Sequence, residues 1–175
     1  SFRYRCPRDY AMLERELNLE RSSDHPRLMR FSKKISEILA AAGIEARTEV
    51  RYRKPYSIWR KMQARNSDLR HVDGKHYIRI IYPNDTALSE KVISLHIYSI
   101  LTDTFKERPG SVANYIDAPK ENGYQSFHVK LLSEQGIWEE IHISSERMVR
   151  NSRLGCTAER TEDNLKMWLK KFKTI

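Results

Sequence analysis

Cysteine is nearly absent from this chain: Cys6 and Cys156 are the only two in 175 residues. With no partner spacing between them, neither a disulfide framework nor a zinc site is indicated. Long apolar runs are missing as well. No stretch approaches the roughly 20 residues of a membrane span, and the N-terminus lacks the blocks of a signal peptide. A cytoplasmic protein with no membrane partner is expected. Glycine is sparse, at six residues. Neither G-x-x-x-x-G-K-[ST] nor G-x-G-x-x-G occurs, which excludes the two commonest nucleotide cradles. There are no repeats and no low-complexity tract. The chain opens at Ser1 rather than at a methionine, as expected of a piece of something longer.

Acidic residues are in the minority, 23 Asp plus Glu against 32 Lys plus Arg, for a net charge of +9. Such an excess favours nucleic acid, nucleotides or an anionic surface as partner. Its distribution is uneven. The run "RYRKPYSIWRKMQAR", Arg51 to Arg65, holds Arg51, Arg53, Lys54, Arg60, Lys61 and Arg65 with no acid among them.

The apolar periodicities predict a single mixed domain. Pro7 opens a helical pattern with Tyr10, Leu13 and Leu17 on one face. The polar stretch "ERSSDHP" reads as a break, with Asp24 and Pro26 as cap and first turn of a second helix that Gly43 stops. Its inward residues would be Leu28, Phe31, Ile35, Ile38 and Leu39. Ala46–Tyr52 alternates as a strand, Pro55 opens a short helix to about Ala64, and Tyr77–Tyr82 is the strongest strand signal. Leu88, Val92, Leu95 and Ile100 support a long helix. Phe127–Leu132 and Ile137–Ile143 read as strands joined at "SEQG", and Leu165, Trp168, Leu169 and Phe172 mark a terminal helix. Strands interleaved with helices imply an α/β or α+β domain with a mixed sheet.

Three segments carry candidate chemistry. Pro55 at a first helical turn leaves the amides around Tyr56 and Ser57 free to meet an anion, and Ser57 and Lys61 share one helix face. A solvated basic helix, or a sequence-independent RNA contact, accounts for the same residues. Along "WEEIHI", Glu140 and His142 share the face opposite Ile141 and Ile143, as His128 does opposite Val129 in the preceding strand. A carboxylate beside imidazoles could hold a metal or take a proton; a solvent-facing edge strand is the plainer alternative. In "YIDAPKENGYQSFH", Pro119 and Gly123 shape a loop in which Lys120 can meet phosphate, Asn122 a base or ribose, and Tyr124 a stacked ring. A surface loop anchored by its tyrosine would look alike.

These segments, in this order, resemble the synthetase domain of the RelA/SpoT family. That family's R-x-K-x-x-Y-S-I-x-x-K-M motif reads here "RYRKPYSIWRKM", Arg51 to Met62. Its D-Y-I-x-x-P-K-x-N-G-Y-x-S-x-H loop reads "NYIDAPKENGYQSFH", Asn114 to His128, and its E-[VI]-Q-I-R-[ST] strand reads "EIHISS", Glu140 to Ser145. "SFRYRCPRDYAMLERELN" is similar to the segment joining the hydrolase and synthetase domains of the long enzymes, whose His-Asp dipeptide has no counterpart. The resemblance implies a nucleotidyltransferase-like mixed β-sheet surrounded by helices, with residues 1–175 forming one domain. It implies transfer of pyrophosphate from ATP to the 3′-hydroxyl of GTP or GDP, making (p)ppGpp, with Mg²⁺ as cofactor. Arg51, Arg53, Ser57, Lys61 and Arg79 would bind ATP; Lys120, Asn122, Tyr124, His128 and His142 would bind GTP or GDP. Glu140 would be catalytic and, with Asp73, a metal ligand. Ribosome or nucleic-acid contact through flanking domains, and self-association, are compatible with it.

Departures from the pattern bear on activity. Where the family places a metal-binding Asp, five residues before Arg79, this chain has Gly74, with Asp73 one position early. In a strand that shift turns the side chain to the other face; "DG" as a plain turn is the other option. Arg53 replaces a Lys, which changes geometry more than charge. His142 and Ser144 replace Gln and Arg, and Arg153 stands where an acid belongs. Two functions are therefore expected to compete: a GTP pyrophosphokinase with an altered metal site, or a catalytically impaired guanine-nucleotide-binding regulatory domain of a longer protein. General RNA binding stands third.

Overall fold

The structure, a computed structural model, describes residues 7–152 apart from Thr86. The expected terminal helix and Arg153 lie outside the described residues. Helix α1 spans Pro7–Ala41, followed by β1 (Arg47–Tyr52), α2 (Pro55–Arg65), a 3₁₀ turn (Leu69–His71), β2 (His76–Tyr82) and α3 (Glu90–Thr104). Three strands complete the order: β3 (Ala113–Asn114), β4 (Phe127–Leu132) and β5 (Trp138–Ser145). Residues 146–152 are helical. The five strands form one sheet in the order β1-β2-β5-β4-β3, with β2 and β5 parallel and the other pairs antiparallel. This is the mixed sheet with surrounding helices that the pattern predicts.

The two expected N-terminal helices are one. α1 runs unbroken through Pro26, so Asp24 is not a cap. Proline removes one i→i−4 bond, but tertiary contacts hold both halves in line. Leu13 and Leu17 pack with Ile58, Leu69 and Val72, while Phe31, Ile35 and Leu39 join the core under the sheet. The polar residues between them contact the strand ends rather than loop solvent: Arg21 donates to the Arg53 carbonyl and Arg27 pairs with buried Glu139. Gly43, at φ +77°, then ends the helix as expected, with Ile44 N–H reaching back to the Leu39 carbonyl at 3.0 Å.

One sheet face is apolar. Ile78, Ile80, Val129, Leu131, Ile141 and Ile143 pack against Phe31, Ile35 and Leu39 of α1 and Ile97, Leu101 and Phe105 beside α3. α3 presents Ser94, Ile97 and Leu101 inward, whereas Leu88, Val92 and Leu95 are exposed. Ser94 is buried as the partner of Tyr82, whose hydroxyl lies 2.7 Å from the Ser94 hydroxyl. β5 is central rather than an edge, so its second face is not a solvent-facing margin. No helix among the described residues is long and apolar enough to cross a membrane.

Candidate functional site

The sheet face opposite the core carries the polar set. Register fixes it: Glu49 pairs with Arg79, Arg79 with His142, and His142 with His128, so all four point to one side; Lys130 faces Glu140 in the same way. α2 stands beside this face because buried Ile58 anchors it to α1. Pro55 lies in its first turn and Lys54 caps it without a side-chain bond. Its first helical bond is Ile58 N–H to the Lys54 carbonyl, leaving the earlier amides outside the ladder, as expected of an anion-facing helix start.

Glu140 is the hub. Arg53 Nη2 donates to its Oε1 at 3.0 Å and Nη1 to its Oε2 at 3.3 Å, while His142 Nε2 lies 2.8 Å from Oε1. Burial alone would raise its pKa. The hydrogen bonds from His142 and Arg53, and the Arg53 charge, instead hold it well below the usual carboxylate range. Because the carboxylate can only accept, His142 donates its Nε2–H. Desolvation keeps His142 neutral by lowering its pKa against the pull of Glu140.

Three rings form a column across β2, β5 and β4. Tyr77 stacks on His142 at 4.0 Å, and His142 on His128 at 3.6 Å with planes 4° apart. Tyr124 closes the end, its hydroxyl 2.9 Å from His128 Nε2. Burial and the neighbouring His142 push the His128 pKa down to about 2. Arg53 lies over Tyr77, and Arg79 reaches the Tyr77 hydroxyl at 3.0 Å.

A cleft of about 200 Å³ opens beside this hub, lined by Lys61, Arg65, Asp73, His128, Lys130 and Glu140 among others. Lys61 is partly buried, and its pKa is lowered by desolvation and then by Arg53. The cleft is a basic slot, Lys61, Arg65 and Lys130 with Glu140 at its base and Asp73 on its rim, suited to phosphate oxygens.

Of the residues expected from sequence, Arg53, Lys61, His128, Glu140 and His142 converge here, with Tyr124 against His128. Arg79 joins through Tyr77. Arg51 is exposed opposite Tyr77 on β1, and Ser57 is exposed in the first turn of α2. Lys120 covers the Tyr115 and Tyr124 rings, and the Asn122 side chain accepts from the Tyr124 amide, shaping the loop at Gly123, φ +81°. Asp73 is exposed on the cleft rim in the loop before β2, so strand alternation does not govern it. Lys130 and Tyr77 were not singled out from sequence, although each shares strand parity with a residue that was: Lys130 with His128, Tyr77 with Arg79.

The donor set does not fit Mg²⁺, which takes oxygen ligands in near-octahedral geometry. The cleft offers two carboxylates: Glu140, both of whose oxygens are engaged by Arg53 or His142, and Asp73, exposed on the rim rather than set beside it. Among the described residues, one group of three metal-ligating side chains is close together, His128, Glu140 and His142. Its imidazole planes are parallel, however, and nitrogen lone pairs lying in parallel planes 3.6 Å apart cannot meet at one ion.

Residues 50–161 match the family described as the region found in RelA / SpoT proteins. The chain belongs to the RelA/SpoT family. It is 30% identical over 158 residues to a guanosine-3′,5′-bis(diphosphate) 3′-pyrophosphohydrolase of Haemophilus influenzae, covering 90% of this chain and 22% of that protein. It is 28% identical over 158 residues to a GTP pyrophosphokinase of Photobacterium angustum, covering 90% of this chain and 20% of that protein. The chain therefore spans about a fifth of the length of the curated relatives it matches. The small alarmone synthetase 1 of Bacillus subtilis shares its fold, with a TM-score of 0.58 at 16% identity over 91% of this chain and 99% of that one. The two RelA/SpoT-like motifs that begin at Arg51 and Asn114 both lie inside the matched region.

Proposed function

We propose that this chain is a GTP pyrophosphokinase-type domain of (p)ppGpp metabolism, acting in the cytoplasm, that moves pyrophosphate from ATP to the 3′-hydroxyl of GTP or GDP. The observation that carries this is the placement of a phosphate-binding cation set, Arg53, Lys61 and Lys130, and an aromatic wall, Tyr124 and His128, about one carboxylate. Lys61 and the first turn of α2, with Ser57, receive the donor phosphates, and Arg51 and Arg79 flank the adenine. Guanine stacks on Tyr124, held by the loop of Lys120 and Asn122, with the His128–His142 stack behind it. Glu140 is the base nearest the acceptor hydroxyl.

A second reading is favoured by one feature. A general base works best with a pKa near the working pH, and Glu140 is held far below that by His142 and Arg53. A domain that binds guanosine polyphosphates and regulates a longer protein needs no such base. Incubating the chain with γ-labelled ATP and GDP, then separating the products, decides between them. Label on the guanosine nucleotide supports the transferase; nucleotide binding without transfer supports the regulatory domain.

A further inference from the structure

Gly74 sits in the loop before β2 at φ +73°, directly above Glu140. A Cβ built there would lie 3.0 Å from Lys61 Nζ, 3.2 Å from Arg53 Nη1 and 3.2 Å from Glu140 Oε2. The space beside the carboxylate is therefore occupied by a guanidinium and an ammonium. Arg53 is also fixed from behind, since Nη1 donates to the Gly74 carbonyl at 2.5 Å while its fork meets Glu140. A lysine could not make these bonds together, because its point charge lacks the planar fork. A side chain on Gly74 would crowd the fork. The two residues thus form one device: the bare glycine makes room, and the arginine supplies positive charge next to Glu140.

A divalent cation bonded to Glu140 would have to displace Arg53 and sit against Lys61, two like charges in a partly desolvated cleft. The charges that would oppose a metal are those that attract phosphate. Lys61, Arg65 and Lys130 line the same cleft.

We propose that Arg53 takes the place of a divalent metal, so that this cleft binds a polyphosphate chain through Arg53, Lys61 and Lys130 without any metal ion. The proposal rests on the nucleotide reading only for the nucleoside attached to that chain, so its test uses inorganic triphosphate. Calorimetry should give Kd values in EDTA and in excess Mg²⁺ that agree within about twofold, or a weaker value with Mg²⁺, because magnesium on the triphosphate offsets the charge the cleft recognises. Lys61→Ala should weaken binding by tenfold or more in both buffers. The double substitution Arg53→Lys with Gly74→Asp should reverse the behaviour, with binding weak in EDTA and restored at least tenfold by Mg²⁺. Triphosphate binding by the unmutated chain that requires Mg²⁺, or no binding in either buffer, overturns the proposal. So does binding that Lys61→Ala leaves intact, or a folded double variant that remains indifferent to metal. A preference for guanosine nucleotides is measured separately; its absence would refute the nucleotide reading and leave the metal-free cleft standing.

Discussion

Arg53 and Glu140 meet through two parallel contacts, Nη2 to Oε1 at 3.0 Å and Nη1 to Oε2 at 3.3 Å, joining the end of β1 to the middle of the sheet. The hydrogen bond from His142 and this pair together keep Glu140 ionised deep into the acid range. As pH falls, the unfolded chain takes up this proton first. The stability it contributes is therefore present above the ordinary carboxylate pKa and lost as pH falls through the lower folded value. Glu140→Gln should destabilise the fold by about 1–3 kcal/mol at neutral pH, the usual cost of an unmatched charged hydrogen bond. The gap to the unmutated chain should begin to close below about pH 5 and go on narrowing as pH falls toward the lower folded value. Thermal melts of both proteins across that range check it.

His128 gives a pH dependence at a different place. Burial and His142 keep it neutral down to about pH 2 when folded, whereas the unfolded chain protonates near its usual value. Below about pH 6.5 the unfolded state binds more protons, so stability falls by about 1 kcal/mol per pH unit from this group. In His128→Phe that loss is removed. Urea midpoints at neutral pH and one to two units lower should fall more for the unmutated chain than for the variant.

Across the sheet, Arg27 on α1 pairs with Glu139, which is only 1% exposed and also lies 3.1 Å from His76 Nε2. Arg27→Ala leaves that buried carboxylate with His76 alone, an imidazole whose pKa is lowered by burial. Breaking one side of a buried pair costs about 3–5 kcal/mol, which urea unfolding should register.

Much of this was legible in sequence because local rules carried it. Pro55 placed the start of α2, and strand alternation put His128, Glu140 and His142 on one face. Contacts between distant residues were not legible. Pro26 reads as a boundary unless one knows that Leu17 and Phe31 each have a buried partner surface. Ser94 does not read as a core position until Tyr82 is set against it. The parallel pairing of β2 with β5, which brings Tyr77 onto His142, depends on a crossover that no motif encodes. Gly74 announced an absence in sequence; only the fold shows Arg53 and Lys61 filling the space beside it.

The most direct measurement is the calorimetric titration of GDP into the unmutated chain and into Tyr124→Ala and Tyr124→Phe. A guanine seat formed by Tyr124 with the Lys120 and Asn122 loop beside the base edge predicts that Tyr124→Ala weakens GDP binding more than ADP binding. It also predicts a loss of about 1–3 kcal/mol in Tyr124→Ala. Tyr124→Phe should retain most of the affinity, since it keeps the ring and gives up only the hydroxyl contacts to His128 and Ser126. GDP binding of equal strength in all three proteins, or none in any of them, would contradict a guanosine-nucleotide site on this face of the sheet.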